Sequence, residues 1–189
     1  VPNPEWFTAR DRARAVARGA GVTFWHKTRN SLELLARHVP DAQHVFTGWT
    51  TPAPQRPPAA PGPDYDLALH VKGCSEQKQT DVVLAAWQPH WPVLHVVSYL
   101  DVPGFVPVPF PLTHRNVVVH YRKLSRAELA GLQTRCGIHV CPSKAEGFGH
   151  YINEARAVGA LVVTTDHPPM NELVDPEWGV LVPPTRRTP

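Results

Sequence analysis

Two carboxylates eight positions apart, Glu146 and Glu154, flank the turn Gly147, Phe148, Gly149 in the stretch CPSKAEGFGHYINEARAVGA at residues 141–160. IHVCPS reads as a strand and a turn, KAEGFG as a glycine-containing loop, and HYINEARAVGA as a helix with Ile152, Ala155 and Val158 at helical spacing. A helix start offers unpaired N–H groups and about half a positive charge, which suits a phosphate or electron-rich sugar oxygens. Carboxylates, by contrast, are poor partners for phosphate and good acceptors for vicinal hydroxyls. Glu146 precedes the helix, and Glu154 lies roughly 7–8 Å further along its axis at ~1.5 Å per residue. The pattern calls for a ligand with hydroxyls at two places and a charged group nearby: a nucleotide sugar, with its hexose, diphosphate and ribose.

Such a site needs a strand that ends where a helix begins, and the chain supplies several. ARDRARAVARGA and SLELLARHV read as helices, the second with Ser31 as a candidate cap, and GVTFWHK and HVFTGW as strands. Further on, DLALHV, VLHVVSYL, NVVVHY, IHVC and ALVVTT are short apolar runs. Between them lie DVVLAAWQ, capped by Thr80, and RAELAGLQTRC, with a Ser125/Glu128 capping box and Gly137 at its end. Strands alternating with helices predict an α/β fold, a doubly wound parallel sheet of Rossmann-like type with its ligand at the carboxyl ends of the strands. TPAPQRPPAAPGP at residues 51–63 holds six prolines and reads as a linker. It divides the chain into residues 1–50 and a larger domain, residues 64–189.

Composition bounds the rest. A chain of 189 residues with 42% hydrophobic content can bury a core. Net charge is +3, and apart from a cluster around Arg10 to Arg18 the basic residues are scattered, so no nucleic-acid partner is expected. Cys74, Cys136 and Cys141 leave one thiol over in any internal pairing and form no CxxC, which points to a reducing, cytoplasmic compartment and away from structural zinc. No run approaches the ~18 apolar residues of a membrane span; peripheral attachment to a membrane stays open. The chain starts without Met and stops just after GVLVPP, which reads as a fragment.

The stretch PSKAEGFGHYINEARAVGALVVTTDHPPMNELV resembles the donor-binding motif of the group 1, GT-B fold, retaining glycosyltransferases. That resemblance implies that Glu146 contacts the donor sugar, that Gly147, Phe148 and Gly149 approach sugar and phosphate through their amides, and that Glu154 binds the ribose hydroxyls. It also implies a basic pair six positions apart for the diphosphate. KGCSEQK supplies Lys72 and Lys78, with Lys where Arg is usual at the first place. Lys78 and Glu146 are the expected catalytic groups, the lysine meeting leaving-group charge and Glu146 favouring positive character at the anomeric carbon. A metal is then dispensable, and no cofactor is expected beyond the nucleotide-sugar co-substrate.

The same resemblance makes residues 1–50 the end of an acceptor domain and residues 64–189 a truncated donor domain, so the chain alone is expected to bind donor weakly and transfer no sugar. The acceptor, whether glycan, lipid or protein, stays open, as do a non-catalytic nucleotide-sugar binding module and a sugar-nucleotide epimerase of the same fold. Thr164, Thr165 and Asp166 are expected to border the pocket, and His150 is a candidate substrate contact. The other histidines lack ligand spacing and read as structural or surface groups. Trp25, Trp49, Trp87 and Trp91 read as core and linker packing.

Overall fold

The computed structural model describes residues 8–18, 21–48, 51–56, 61–73, 75–99 and 114–185. Cys74 and Trp49 lie outside them. In chain order the elements are α1 (Ala9–Arg18), β1 (Thr23–His26), α2 (Arg29–His38), β2 (Gln43–Phe46), β3 (Asp64–Gly73), a 3-10 turn (Glu76–Lys78), α3 (Thr80–Ala86), β4 (Val93–Ser98), β5 (Val117–His120), α4 (Arg126–Arg135), β6 (Cys136–Cys141), α5 (His150–Ala157), β7 (Leu161–Thr165), a second 3-10 turn (Met170–Glu172) and β8 (Gly179–Val182).

Six strands form one parallel sheet in the order β5-β4-β3-β6-β7-β8. This is the expected doubly wound, Rossmann-like sheet. Side chains alternate across it. On one face Ala68, Leu94, Val96 and Val140 pack with Val83 and Leu84 of α3 and with Trp87 just after it. On the other, Leu69 and Val97 pack with Leu129 and Leu132 of α4, while Cys141 and Val162 pack with Ile152 and Ala155 of α5. Fully burying a side chain such as Ile152 is worth ~1.5–3 kcal/mol. The chain winds outward from β3 to β5 and then returns to β6 on the other side of β3. The carboxyl ends of β3 and β6 therefore bound the crevice at the switch point, where such sheets take ligands.

Ahead of this sheet, β1 and β2 pair in parallel, and Ala15 of α1 shares a small core with Phe24, Val39 and Ala42. A directed chain of hydrogen bonds runs through this unit. His44 Nε2 donates to the Val39 carbonyl at 2.9 Å, which leaves His44 Nδ1 to accept from His26 Nε2 at 2.9 Å; His26 Nδ1 then accepts from the Ser31 hydroxyl at 3.1 Å.

Local chemistry departs from the sequence expectations at several places. Thr28, not Ser31, caps α2, its hydroxyl accepting from the Ser31 N–H at 3.2 Å. Thr80 is the first residue of α3 rather than its cap. Gln79 holds that place in the left-handed region at φ 52°, its side-chain amide donating to the Pro142 carbonyl at 2.6 Å. The Ser125/Glu128 capping box of α4 forms as expected, but the helix ends at Arg135 with Cys136 as its C-cap, and Gly137 lies inside β6. A Cβ on Gly137 would meet the Asp64 backbone at 2.8 Å, so glycine is needed there for close strand approach. Trp87 is core and Trp91 stands edge-on against it, whereas Trp25 is 61% exposed.

Burial depresses the pKa of His26, His70 and His139 to about 4. An unfolded histidine binds its proton near pH 6.5. Between the two values the unfolded chain holds more protons, so the stability these neutral rings contribute is complete above pH 6.5 and is lost as pH falls toward 4. The urea midpoint is expected to be lower at pH 5 than at pH 7.5. Equal midpoints would show that the fold does not require these rings neutral.

Candidate functional site

At the carboxyl end of β3 the chain makes a positive-φ turn at Gly73 and a short 3-10 turn that ends in Lys78; at the end of β6 it runs through Pro142 and Ser143 into the Glu146 loop. The two ends are stitched together. Lys144 N donates to Gln77 O at 2.9 Å, and Gln79 reaches Pro142. Beneath them His70 donates from Nδ1 to Val140 O at 2.8 Å, which leaves Nε2 to accept from the Thr80 hydroxyl at 2.8 Å. After burial, the charges of Lys78 and Lys72 both add to the depression of the His70 pKa.

The result is an ion pair between Lys78 Nζ and Glu146 Oε1, 68 residues apart in sequence, with side chains only 17% and 11% exposed. Ser143 Oγ donates to the same carboxylate oxygen at 2.5 Å and lies 2.6 Å from the Tyr151 hydroxyl. The Thr165 hydroxyl donates to Ser143 O at 2.9 Å, and the Thr164 hydroxyl to Cys141 O at 2.8 Å. The end of β7 therefore buttresses the loop. Lys72 pairs with Glu76 at 2.9 Å.

Gly147, Phe148 and Gly149 are buried, and Gly149 caps α5 in the left-handed region at φ 71° without a side-chain cap. Gly149 thus has no side chain to cover the first N–H groups of α5. Phe148 meets the His150 ring edge-on at 5.0 Å, and His150 Nδ1 stands 3.3 Å from the Thr51 hydroxyl. His150 is thereby tied to the proline-rich segment. Glu154, on the next turn of α5, accepts from Gln133 Nε2 at 2.7 Å. Burial raises its pKa against the opposing effects of Gln133, His150 and Lys78.

Sequence reasoning left Ser143, Tyr151, Gln133 and Glu172 without individual roles. Ser143 and Glu172 carried a signal only as parts of the motif, the first in the Pro-Ser pair before the loop and the second in its Glu-Leu-Val ending. Glu172 accepts from both Arg29 N at 2.7 Å and Asn30 N at 2.8 Å, capping α2 from 142–143 residues away. Beside this clasp is a cleft of about 350 Å³ lined by Lys27, Arg29, Phe46, Phe148, Asn153 and Arg156, among others. It opens next to the α5 start, on the β1–β2 side, and does not include Glu146, Lys78 or Glu154. Among the described residues no three His, Cys, Asp or Glu side chains gather as metal ligands would, and no helix is long and apolar enough to cross a membrane.

Residues 112–188 match the family described as glycosyl transferases, group 1. Among solved structures the chain is similar to the sucrose-phosphate synthase of Thermosynechococcus elongatus (TM-score 0.71, 20% identity, covering 95% of this chain and 50% of that one). It is also similar to Anabaena HepE in complex with UDP-glucose (0.66, 17%, 96% and 56%) and to the pneumococcal O-GlcNAc transferase GtfA in complex with UDP and GlcNAc (0.62, 15%, 86% and 34%). The chain thus spans from about a third to just over half the length of these structures, and its sheet is that of the GT-B fold. No curated protein matches the chain closely enough to count as a relative.

Proposed function

With residues 112–188 matching the family described as glycosyl transferases group 1, we propose that the chain carries the donor side of an enzyme that moves a sugar from a nucleoside-diphosphate sugar to an acceptor, with retention at the anomeric carbon. The observation that carries this reading is the Lys78–Glu146 pair held at the switch-point crevice beside the uncapped start of α5. Breaking a sugar–phosphate bond places growing negative charge on the diphosphate. Lys78, Lys72 and the α5 N–H groups meet that charge, most strongly as the bond lengthens, so the diphosphate has its counter-charge without a metal. Glu146, fixed by Lys78 and Ser143, faces the hexose. Glu154 takes the ribose hydroxyls, and the cleft beside Phe148 lies where an acceptor approaches from the β1–β2 side. In this division residues 64–189 are the donor domain, residues 1–50 the end of the acceptor domain, and residues 51–63 the link between them. The complexes of Anabaena HepE with UDP-glucose and of the pneumococcal enzyme with UDP support the choice of ligand.

Glu154→Gln tests it. A carboxylate whose folded pKa is raised by burial binds its proton more tightly folded than unfolded, so it subtracts stability as pH rises through that window and throughout neutral pH. Glutamine keeps an acceptor for Gln133 and removes the buried charge. The variant is expected to be more stable than the parent at pH 7, with the difference gone at pH 3.5, and to bind UDP or GDP about 5–10-fold more weakly, since hydrogen bonds to a charged group exceed neutral ones by roughly 1 kcal/mol. Nucleotide affinity equal to the parent's removes Glu154 from the ribose site. The balance of lower stability against ligand affinity is what a binding residue shows.

A further inference from the structure

We propose that Tyr151 is a positioning residue of the donor site, holding Glu146 through Ser143 with its hydroxyl and Lys78 with its ring. The inference rests on the donor-binding reading above and adds to it a residue that touches neither sugar nor phosphate. Tyr151 lies in the first turn of α5 and is 8% exposed. The direction of its hydrogen bond follows from proton counting. The carboxylate of Glu146, paired with Lys78, only accepts, so the single hydroxyl proton of Ser143 goes to Glu146. The 2.6 Å contact between Ser143 Oγ and Tyr151 OH must then run from Tyr151 to Ser143. The relay is Tyr151 O–H to Ser143 O–H to Glu146, and each donor polarises the next.

Burial pushes the Tyr151 phenol well above its usual pKa, so the group stays a donor across the working range. At the same time Lys78 Nζ sits 3.5 Å from the centroid of the Tyr151 ring, well inside the ~6 Å reach of a cation–π contact. One side chain on α5 thus fixes both members of an ion pair whose other anchors are on the β3 and β6 ends. The lysine stem has several rotatable bonds and the carboxylate two oxygens to offer. Without Tyr151 each would sample positions in which the diphosphate and the hexose are not met together.

The two functions of the side chain separate on substitution. Tyr151→Phe keeps the ring under Lys78 and removes the donor to Ser143; Tyr151→Leu removes both. Two measurements on the 189-residue chain test the inference. In the ligand-free protein, ring shielding is expected to move the Lys78 ε-methylene protons upfield in the parent and in Tyr151→Phe, and to leave them at their ordinary position in Tyr151→Leu. A parent resonance at the ordinary position overturns the proposal whatever ligands do.

In titration with UDP, GDP, UDP-glucose and GDP-mannose, Tyr151→Phe should bind the preferred nucleoside diphosphate within twofold of the parent. It should lose about 3–10-fold in the extra affinity that the sugar supplies. Ser143→Ala should lose a similar factor, and the double variant no more than either, because both act on Glu146 through one relay. Tyr151→Leu should in addition weaken the nucleoside diphosphate itself. Additive losses in the double variant, or sugar affinity in Tyr151→Phe equal to the parent's, overturn the proposal. A parent with the shifted Lys78 resonance that binds none of the four ligands overturns instead the donor-binding reading, and the role of Tyr151 with it.

Discussion

Lys78→Ala is expected to lower the unfolding free energy by about 2–4 kcal/mol, somewhat below the ~3–5 kcal/mol of a fully buried pair that loses one partner. The loss comes from what the substitution leaves behind. Glu146 is 11% exposed, and without Lys78 the Ser143 hydroxyl is what remains, among the described residues, to meet its charge. An uncompensated carboxylate that water barely reaches is dearer than the pair was worth. The Tyr151 ring loses its cation as well. If this is the cause, a second change should reverse it. Lys78→Met with Glu146→Gln replaces the pair by an apolar stem over the ring and a neutral amide that still accepts from Ser143. That double variant is expected to recover most of the lost stability. It should nonetheless bind a nucleoside-diphosphate sugar at least tenfold more weakly than the parent, because it has neither the ammonium for the diphosphate nor the carboxylate for the hexose. Urea unfolding followed by tryptophan fluorescence, at constant slope, gives the first quantity and titration the second. Unchanged stability in Lys78→Ala would mean that water already carries the Glu146 charge. Parent-like donor affinity in the double variant would remove both residues from the site.

That pair marks the line between what the sequence showed and what it hid. The family resemblance offered Lys78 as half of a basic pair, and the local pattern placed Glu146 in a glycine-containing loop just before a helix. Their direct contact was not legible, because it depends on β3 and β6 lying side by side, and strand order is a property of the whole sheet. Features closed within one turn of chain read well: the Ser125/Glu128 capping box is complete in four residues and forms as expected. Features closed by distant backbone did not. Gly137 looked like a helix terminator, yet what requires glycine there is the Asp64 backbone, 73 residues earlier in the chain and 2.8 Å from where a Cβ would stand. Thr80 looked like a cap. Its hydroxyl is taken by His70, and the turn before it is shaped by Gln79 reaching Pro142. Tyr151 read as one more position on a helix, and Glu172 as part of the motif's ending. The first takes its role from Ser143 and Lys78, and the second from the α2 start that it caps.

Gly149→Val is expected to be among the most damaging single changes in the chain, at about 3–5 kcal/mol of stability with loss of measurable donor binding. Two separate constraints meet at this glycine. Its φ of 71° is in the left-handed region, which a β-branched residue hardly ever adopts, and its built Cβ would stand 2.6 Å from Leu173 Cδ1 and 3.3 Å from Ile152 Cδ1. Ile152 is fully buried and cannot give, whereas the Leu173 methyl is the end of a half-buried side chain that can turn aside. Relief by backbone rotation would swing the start of α5 away from the loop, and the N–H groups proposed to meet the phosphate would go with it.

The two constraints can be told apart by Gly149→Asn and Gly149→Ala. Asparagine tolerates the left-handed region far better than alanine, yet it presents the same Cβ to Leu173 and a larger side chain beyond it. If backbone strain dominates, Gly149→Asn is the milder change, near 1 kcal/mol against 1–3 kcal/mol for Gly149→Ala. If the clash dominates, the order reverses, and Leu173→Ala in the Gly149→Ala background restores part of the loss. Given the freedom of the Leu173 methyl, the first order is expected. Urea midpoints of the four variants decide it, and a Gly149→Val protein with parent-like stability and donor affinity would show that neither the turn nor the close approach to Leu173 is needed to build the α5 start.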